Sequence, residues 1–127
     1  MGTRSGEVRT VADAMDAPPV IVEPAMTVQD TSAAMLDARA HAAVVVDAGR
    51  VRGLVTVEDI SRALARGYDA AETRIGAVVE DEPPLARPDE ALAEVHQRMR
   101  ATGHGVVAVV GSRREPIGVL ADSEAGG

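Results

Sequence analysis

Paired carboxylates are the first grouping in this sequence that could do chemistry, because two acids held together can act as general acid and general base. Glu58 and Asp59 are sequence neighbours, but consecutive side chains on a helix point apart. The sequence lacks lysine and cysteine, which removes Schiff-base and thiolate chemistry. It contains no G-x-S-x-G elbow, glycine-rich phosphate loop or H-E-x-x-H motif. We therefore expect no catalytic residue and no enzymatic activity.

Histidines are the second grouping, as metal ligands. The three in the chain are His41, His96 and His104. They are widely spaced and no cysteine accompanies them, so they lack the ligand spacing of a zinc site. His96 falls in a helical pattern, and His104 stands between two glycines. These positions predict a partly exposed helical residue and a loop residue, and we expect no metal site.

Thr56 and Asp59 form the third grouping. A threonine followed three residues later by an acid is the pattern of a helix capping box. A threonine cap stabilises its helix by about 0.5–2 kcal/mol without any ligand. Taken alone, the two residues predict the start of a helix.

Composition narrows the possible partners. Twenty acidic residues against thirteen arginines give a formal charge of −7, which repels nucleic-acid backbones and anionic lipid. Tyr68 is the one aromatic residue, so a ring-shaped ligand would lie between aliphatic side chains. No apolar run approaches the length of a membrane span. We expect no nucleic acid and no membrane as partners, and, with no cysteine and no targeting segment, a cytoplasmic location.

A duplication organises the chain. A shift of 64 positions places Pro24 on Pro88 and Met35 on Met99, and one inserted residue later it places Gly53 on Gly118. Each copy alone is too short to bury much core. The two copies therefore predict a pseudo-twofold pair packed face to face.

The first copy predicts the order strand, helix, strand, strand, helix. Hydrophobic period, caps and turn residues place these elements at 20–22, 28–39, 41–47, 51–55 and 56–66. Gly67 ends the last helix. A connector leads to 75–79, which resembles 11–15 as a short helical lead-in.

The second copy repeats this order with strands at 85–86, 106–110 and 117–120 and a helix carrying Leu92, Val95 and Met99. The pattern then stops, because terminal glycines do not favour a helix. We expect the second copy to lack a full final helix, so that another segment covers that face or it stays open.

The run Gly53-Leu54-Val55-Thr56-Val57-Glu58-Asp59-Ile60, preceded by Val45-Val46-Asp47, resembles the signature of a CBS domain. Over about residues 8–125 the doubled chain resembles a tandem CBS pair, or Bateman module. The resemblance implies an α/β (α+β) fold of two β-α-β-β-α repeats packed as a pseudo-twofold pair. The repeats would span residues 8–67 and 73–125, the second lacking a full final helix.

The resemblance also implies a non-enzymatic regulatory module. Such pairs bind an adenosine-containing ligand, AMP, ADP, ATP or S-adenosylmethionine, in the cleft between repeats and signal by conformational change. No obligatory cofactor is implied. By position, Asp59 would hold the ribose, Thr56 the ribose or a phosphate, and His41 a phosphate. Ile21 and Val22 would hold the adenine ring through backbone and aliphatic contacts.

The equivalent site of the second copy is degenerate by the same comparison. Ala121 stands where the signature has threonine, Glu124 stands where it has aspartate, and His104 lies one position out of register with His41. The resemblance therefore implies one competent site, with Glu124 and His104 as remnants of a second.

Two alternatives remain open from the sequence. The chain could be an interaction or dimerisation module that binds no ligand, since the second site with Ala121 and Glu124 is degenerate and the terminal helix is missing. It could also be the regulatory fragment of a larger protein. For the ligand-binding module we expect a homodimer formed through exposed helical faces, with an unidentified protein partner.

Overall fold

The computed structural model describes residues 9–79 and 82–122, which form two similar units. Each unit has three strands and one or two helices. The elements of unit 1 are β1 (Ile21–Val22), α2 (Val28–Asp37), β2 (Ala42–Asp47), β3 (Arg50–Thr56) and α3 (Val57–Ala65). The elements of unit 2 are β4 (Leu85–Ala86), α4 (Leu92–Thr102), β5 (Val106–Val110) and β6 (Pro116–Ala121). A short lead-in precedes each unit: α1 (Val11–Ala14) before unit 1 and a 3-10 helix (Ile75–Ala77) before unit 2.

The two sheets have the same topology. β1 pairs parallel to β2 and β2 pairs antiparallel to β3, and β4, β5 and β6 repeat this order. The register shifts between Val45 and Val46 in one sheet and between Val109 and Val110 in the other, positions that the 64-residue shift superimposes. The predicted mixed α+β fold of two like repeats is confirmed.

Helix ends explain the small differences from the predicted bounds. Thr27 accepts a hydrogen bond from the Asp30 N–H at 3.0 Å and so begins α2 as expected. The helix ends at Asp37 rather than at residue 39, because Arg39 adopts a left-handed φ of 54°. The sequence predicts that unit 2 lacks a full final helix. The residues that this prediction concerns follow residue 122 and lie outside the described part of the chain.

Three groups of buried residues form the core. One lies within each unit, between its sheet and its helices. The third joins the units, where Val44 and Val51 of one sheet pack with Ala108 and Val110 of the other. All four are at most 4% exposed, so the two sheets bury a shared apolar face.

The lead-ins are exchanged between the units. Val11 of α1 is fully buried in the core of unit 2, and Ile75 of the 3-10 helix is fully buried in the core of unit 1. Backbone hydrogen bonds of 2.7 to 3.0 Å fix both lead-ins, in pairs that the 64-residue shift superimposes. In the first pair, the N–H groups of Leu92 and Val28 donate to the carbonyl oxygens of Arg9 and Thr73, respectively. In the second pair, Val11 donates to Glu90 and Ile75 donates to Met26. In the third pair, Ala12 donates to Pro88 and Gly76 donates to Pro24.

The signature glycines lie where these lead-ins cross the sheets. A Cβ on Gly53 would stand 2.9 Å from a methyl carbon of Val79, and one on Gly118 would stand 2.6 Å from the Asp16 carbonyl oxygen. Asp16 also pairs with Val119 through two backbone hydrogen bonds of 2.8 and 3.0 Å. Glycine is therefore needed at both places for close backbone approach.

No helix within residues 9–79 and 82–122 combines the length and the apolar character that a membrane crossing needs.

Candidate ligand-binding cavity

A cavity of about 1120 Å³ opens between the two units. It lies at the ends of the sheets where Ala42 pairs with Thr56, away from the hairpin turn at Asp47 and Arg50. Unit 1 contributes the junction of β3 and α3, and unit 2 contributes the loop before β5 and the end of β6. The second lead-in and the prolines before β4 complete the lining. The volume is large enough for a nucleotide-sized molecule.

Thr56 and Asp59 meet at the wall of this cavity and form the predicted capping box. The Asp59 N–H donates to Thr56 Oγ1 at 3.1 Å, and the Thr56 N–H donates to Asp59 Oδ2 at 2.9 Å. On the other carboxylate oxygen, Oδ1 accepts from Arg62 Nη1 at 3.1 Å. The carboxylate is therefore fixed in position, with a third of its side chain still exposed.

This arrangement leaves Asp59 with unused acceptor capacity. An ionised carboxylate has about four lone-pair sites, and the Thr56 N–H and the Arg62 guanidinium occupy one on each oxygen. One site remains on each oxygen. A pair of neighbouring hydroxyl groups could donate to both without displacing the cap or the ion pair.

Two histidines line the same cavity as this carboxylate. His41 lines the cavity next to Thr56, and its carbonyl oxygen accepts a 3.1 Å hydrogen bond from the Val57 N–H. His104 lines it from unit 2, with Nδ1 2.9 Å from Thr102 Oγ1. The structure therefore brings four of the sequence-predicted site residues, Thr56, Asp59, His41 and His104, to one cavity.

The other predicted contacts do not meet there. Val22 is 1% exposed in the core of unit 1, and Ile21 is half exposed on the edge strand β1, so neither lines the cavity. The segment that enters β4, with Pro83 and Pro84, lines the cavity together with Asp59 instead. Glu124 lies outside the described residues.

The sequence reasoning missed most of the cavity lining, including the polar side chains of Arg62, Arg66 and Tyr68. Arg62 and Arg66 lie three and seven residues after Asp59 and line the cavity with it, so helical spacing could have found them. Tyr68 also lines the cavity, half exposed. It follows Gly67, whose φ of 93° ends α3 and turns the chain, and no local pattern indicated where it would point.

Metal binding has no geometric support in the part of the chain that the structure describes. No three histidine, aspartate or glutamate side chains there are grouped so that they could hold an ion. The chemistry that the cavity offers is hydrogen bonding by Asp59 and Thr56 beside cationic side chains.

Comparison with known proteins gives a family and a fold. The CBS domain model matches residues 11–66 and 75–125. The CBS domain pair of protein MJ0100, in complex with 5′-methylthioadenosine and S-adenosyl-L-methionine, superposes with a TM-score of 0.85 at 21% identity, covering 94% of each chain. The CBS domain protein PAE2072 from Pyrobaculum aerophilum, complexed with AMP, superposes with a TM-score of 0.82 at 21% identity, over 91% of this chain and 88% of that one.

A homoserine O-acetyltransferase from Methanosalsum zhilinae is 28% identical over 116 residues. The match takes in 91% of this chain but spans only 23% of that protein's length. The two regions that match the CBS domain model together cover most of the sequence and coincide with the two structural units. The chain belongs to the CBS domain family and carries two CBS domains in tandem.

Proposed function

We propose that this protein is a non-enzymatic regulatory module that binds an adenosine-containing ligand in the cavity between its CBS units. The observation that carries the proposal is the Asp59 carboxylate, held by the Thr56 N–H and Arg62 with one acceptor site open on each oxygen. That geometry suits the two hydroxyls of a ribose. The ligands named for the similar CBS pairs, AMP and the two adenosyl compounds, support the same class.

The adenine ring lies on aliphatic surface in this proposal. Leu54, Val78, Val79 and Val106 line the same cavity as Asp59, and backbone groups of the segment entering β4 provide polar contacts for the ring edge. Ile21 and Val22 are not used for this ligand, because they are placed elsewhere.

One competent site is proposed. Ala121 occupies the position in unit 2 that Thr56 occupies in unit 1, and it lines the same cavity. A methyl group offers neither the hydroxyl nor the cap that fixes an acid three residues later. His104 and Glu124 therefore remain a degenerate second set in this proposal.

Signalling follows from the position of the second lead-in. Ala77, Val78 and Val79 line the cavity, and Ile75 of the same segment is buried in the core of unit 1. A ligand that contacts this segment favours one arrangement of the two units over others, and it shifts populations by its differential affinity for them. Repeats at 8–67 and 73–125 then act as one module, read by a protein partner.

A homodimer in the cytoplasm completes the proposal. Leu36 on α2 is 77% exposed and Leu64 on α3 is 47% exposed. The two helices contact one another, so this apolar helical face supports self-association. The absence of cysteine fits a reducing compartment.

The second candidate is a module that binds partners without a small ligand. It is favoured by the capping box, which is complete as it stands, and by Ala121 in the second signature.

Thermal unfolding separates the two candidates. A ligand at 100 times its Kd stabilises the folded state by about 2.7 kcal/mol, which raises the midpoint by on the order of 10 °C. We expect at least one of AMP, ADP, ATP, 5′-methylthioadenosine and S-adenosylmethionine to do this for the native chain, and Asp59→Ala to abolish the shift.

Asp30→Ala is the matched control. Asp30 has the same third position in its helix, with its N–H on Thr27 Oγ1, and does not line the cavity. This variant should keep the ligand-induced shift. If no adenosine compound moves the midpoint of the native chain, the proposed function is wrong and the partner-only candidate replaces it.

A further inference from the structure

We propose that the two hairpin turns, at the end of the sheets opposite the cavity, form a docking surface for an acidic segment of a protein partner. This hairpin surface consists of residues 47–52 and 111–115. It requires no small ligand, so the inference can fail or stand separately from the proposed function.

Hydrogen bonds between the units hold the two turns together. The Val51 N–H donates to the Arg114 carbonyl oxygen at 2.8 Å, and Arg114 Nε donates to the Val51 carbonyl oxygen at 2.8 Å. Val51 is 2% exposed and belongs to the apolar cluster that the two sheets share. The two turns therefore form one continuous surface.

Each turn is also closed by its own backbone. Ala48 and Gly49, with φ angles of 54° and 78°, join β2 to β3 as a two-residue turn. In the longer turn, the Gly111 N–H donates to the Glu115 carbonyl oxygen at 3.0 Å, and the Arg114 N–H donates to the Gly111 carbonyl oxygen at 2.9 Å. A partner meets a backbone that is already ordered, which reduces the entropic cost of binding.

An open groove of about 560 Å³ lies between the turns. Ala48, Gly49 and Arg50 line it from unit 1, and Arg113 and Glu115 line it from unit 2. The small residues leave space for the backbone of an extended segment. Each unit provides one guanidinium group to the same groove.

The charge of the hairpin surface is opposite to that of the whole chain. Its eleven residues have a formal charge of +2, whereas the full chain has −7. Complementary charge of this kind favours a negatively charged partner and selects against a positive one. The charged residues of the surface are Arg50, Arg52, Arg113 and Arg114 with Asp47 and Glu115.

Arg50 and Arg113 have donors available for that partner. Both are exposed, and neither forms an ion pair with a residue that the structure describes. Glu115 does not neutralise them, because its Oε1 accepts from the backbone N–H of Arg113 at 2.8 Å. A guanidinium presents five N–H donors in a planar fork that matches a carboxylate.

A nucleic acid fits this surface less well than an acidic peptide. Tyr68 is the one aromatic residue and lines the other cavity, so bases have no ring to stack on between the turns. A long phosphate backbone would also extend over the acidic remainder of the chain, which repels it. A short segment rich in aspartate or glutamate contacts the hairpin surface alone.

Fluorescence anisotropy on the full chain, without nucleotide, tests the inference. The probe is a labelled peptide of about eight residues in which glutamate and serine alternate. The same peptide with glutamine in place of glutamate is the neutral control, and a single-stranded oligonucleotide of equal charge is the second anion. We expect the glutamate peptide to bind at least tenfold tighter than either, and to bind severalfold more weakly at about 0.3 M salt, since exposed charges are screened.

Variants locate the contact. Arg50→Gln and Arg113→Gln should each weaken binding of the glutamate peptide about two- to fivefold, as expected for exposed ion pairs, and the double variant about tenfold. Arg39→Gln is the matched control. Arg39 is also exposed and forms no ion pair with a described residue, but it precedes β2 at the cavity end, where Ala42 pairs with Thr56. This variant should leave the affinity unchanged.

Three results in the binding assay would overturn the inference while leaving the proposed function intact. They are equal binding of the glutamate and glutamine peptides, equal losses in Arg39→Gln and Arg50→Gln, and tighter binding of the oligonucleotide than of the glutamate peptide. Sedimentation velocity without peptide provides a fourth. If the native chain self-associates at low salt and the double variant does not, a second copy of the chain occupies the surface and the inference is wrong.

Discussion

Asp59 caps a helix and faces the cavity with the same carboxylate. Oδ2 holds the Thr56 N–H and Oδ1 holds Arg62, so a ligand finds the group already oriented and does not have to order it. Pre-organisation of this kind reduces the entropic cost of binding. A residue that stabilises the free protein is thus also suited to recognition, and an alanine variant must be judged by ligand effect as well as by stability.

The start of α4 in unit 2 has no capping side chain, and an ion pair between Glu90 and Arg98 lies beside it. α4 begins at Ala91, which offers no capping side chain. The neighbouring Glu90 accepts from the Arg87 N–H at 2.8 Å and from Arg98 Nη1 at 3.1 Å. Arg98 also donates to the Leu85 carbonyl oxygen at 3.1 Å. The pair therefore joins β4, the following turn and α4.

This ion pair predicts a pH dependence of stability. The hydrogen bond from Arg98 holds the pKa of Glu90 below its ordinary value of 4.5, and partial burial opposes the shift without reversing it. Because the folded pKa is the lower one, the stabilisation is complete above about pH 4.5 and is lost as the pH falls through the folded pKa. Glu90→Gln should lower the free energy of unfolding at pH 7 by about 0.5–1 kcal/mol.

Urea unfolding at pH 7 and pH 3 measures this effect. The gap between the native chain and Glu90→Gln should be smaller at pH 3 than at pH 7, because part of the native population is then protonated at Glu90. Glu72→Gln, an exposed substitution in the connector, should match the native chain at both values. A Glu90→Gln gap of the same size at both pH values contradicts the assignment.

At the scale of elements, the close approach of a lead-in to each signature glycine predicts that alanine substitutions at the two positions will lower stability by different amounts. A Cβ at position 118 meets the Asp16 carbonyl oxygen at 2.6 Å, which is backbone, whereas one at position 53 meets a side-chain methyl of Val79 at 2.9 Å. Overpacking of this kind costs about 1–3 kcal/mol. Gly118→Ala should therefore destabilise more than Gly53→Ala in urea unfolding.

A second substitution checks the cause. Val79→Ala removes the methyl group that a Cβ at position 53 would meet, so the double variant Gly53→Ala with Val79→Ala should be more stable than the sum of the single effects requires. Val79→Ala should give Gly118→Ala no such relief. Additivity in the first pair would place the strain elsewhere.

Local patterns predicted the elements of both units to within a few residues, because caps and glycines mark their ends. Thr27 and Thr56 begin α2 and α3 as the sequence indicated, and Gly67 follows the end of α3. The difference at Arg39 comes from a left-handed residue other than glycine. Because glycine and asparagine are the residues that usually adopt this conformation, the sequence does not predict it at an arginine.

Residues that line the cavity were predicted mainly from the first copy. Thr56, Asp59 and His41 follow from a single signature, and they meet in the cavity. Ile21 and Val22 were assigned to the same site from the same copy. The entering strand segment that lines the cavity with Asp59, at Pro83 and Pro84, belongs to the other copy. How the two copies pack against each other is not recorded in a local hydrophobic period.

At the scale of the whole molecule, that exchange makes the two CBS units interdependent. Each unit has its core completed by a segment that precedes the other unit in sequence, and the sheets share a third apolar cluster. Two short domains that could not bury enough surface separately thereby form one. A ligand contacting Val78 and Val79 would act on a segment that packs in the core of unit 1 and leads along the chain into unit 2.

Ile75 tests this interdependence directly. By sequence it belongs to the second CBS match, but it is fully buried in the core of unit 1. Ile75→Ala should lower the free energy of unfolding by about 2–5 kcal/mol, whereas Ile21→Ala, at a half-exposed position, should cost less than about 1 kcal/mol.

The accompanying measurement is the number of unfolding transitions, followed by two spectroscopic signals. Tyr68 is the single aromatic residue and lies at the end of unit 1, so its fluorescence follows that unit, while far-ultraviolet circular dichroism follows both. If the exchange couples the units, both signals should change in one coincident transition in the native chain and in Ile75→Ala. Separate transitions, or an Ile75→Ala cost no larger than that of Ile21→Ala, would mean that the lead-in is not needed to hold unit 1 together.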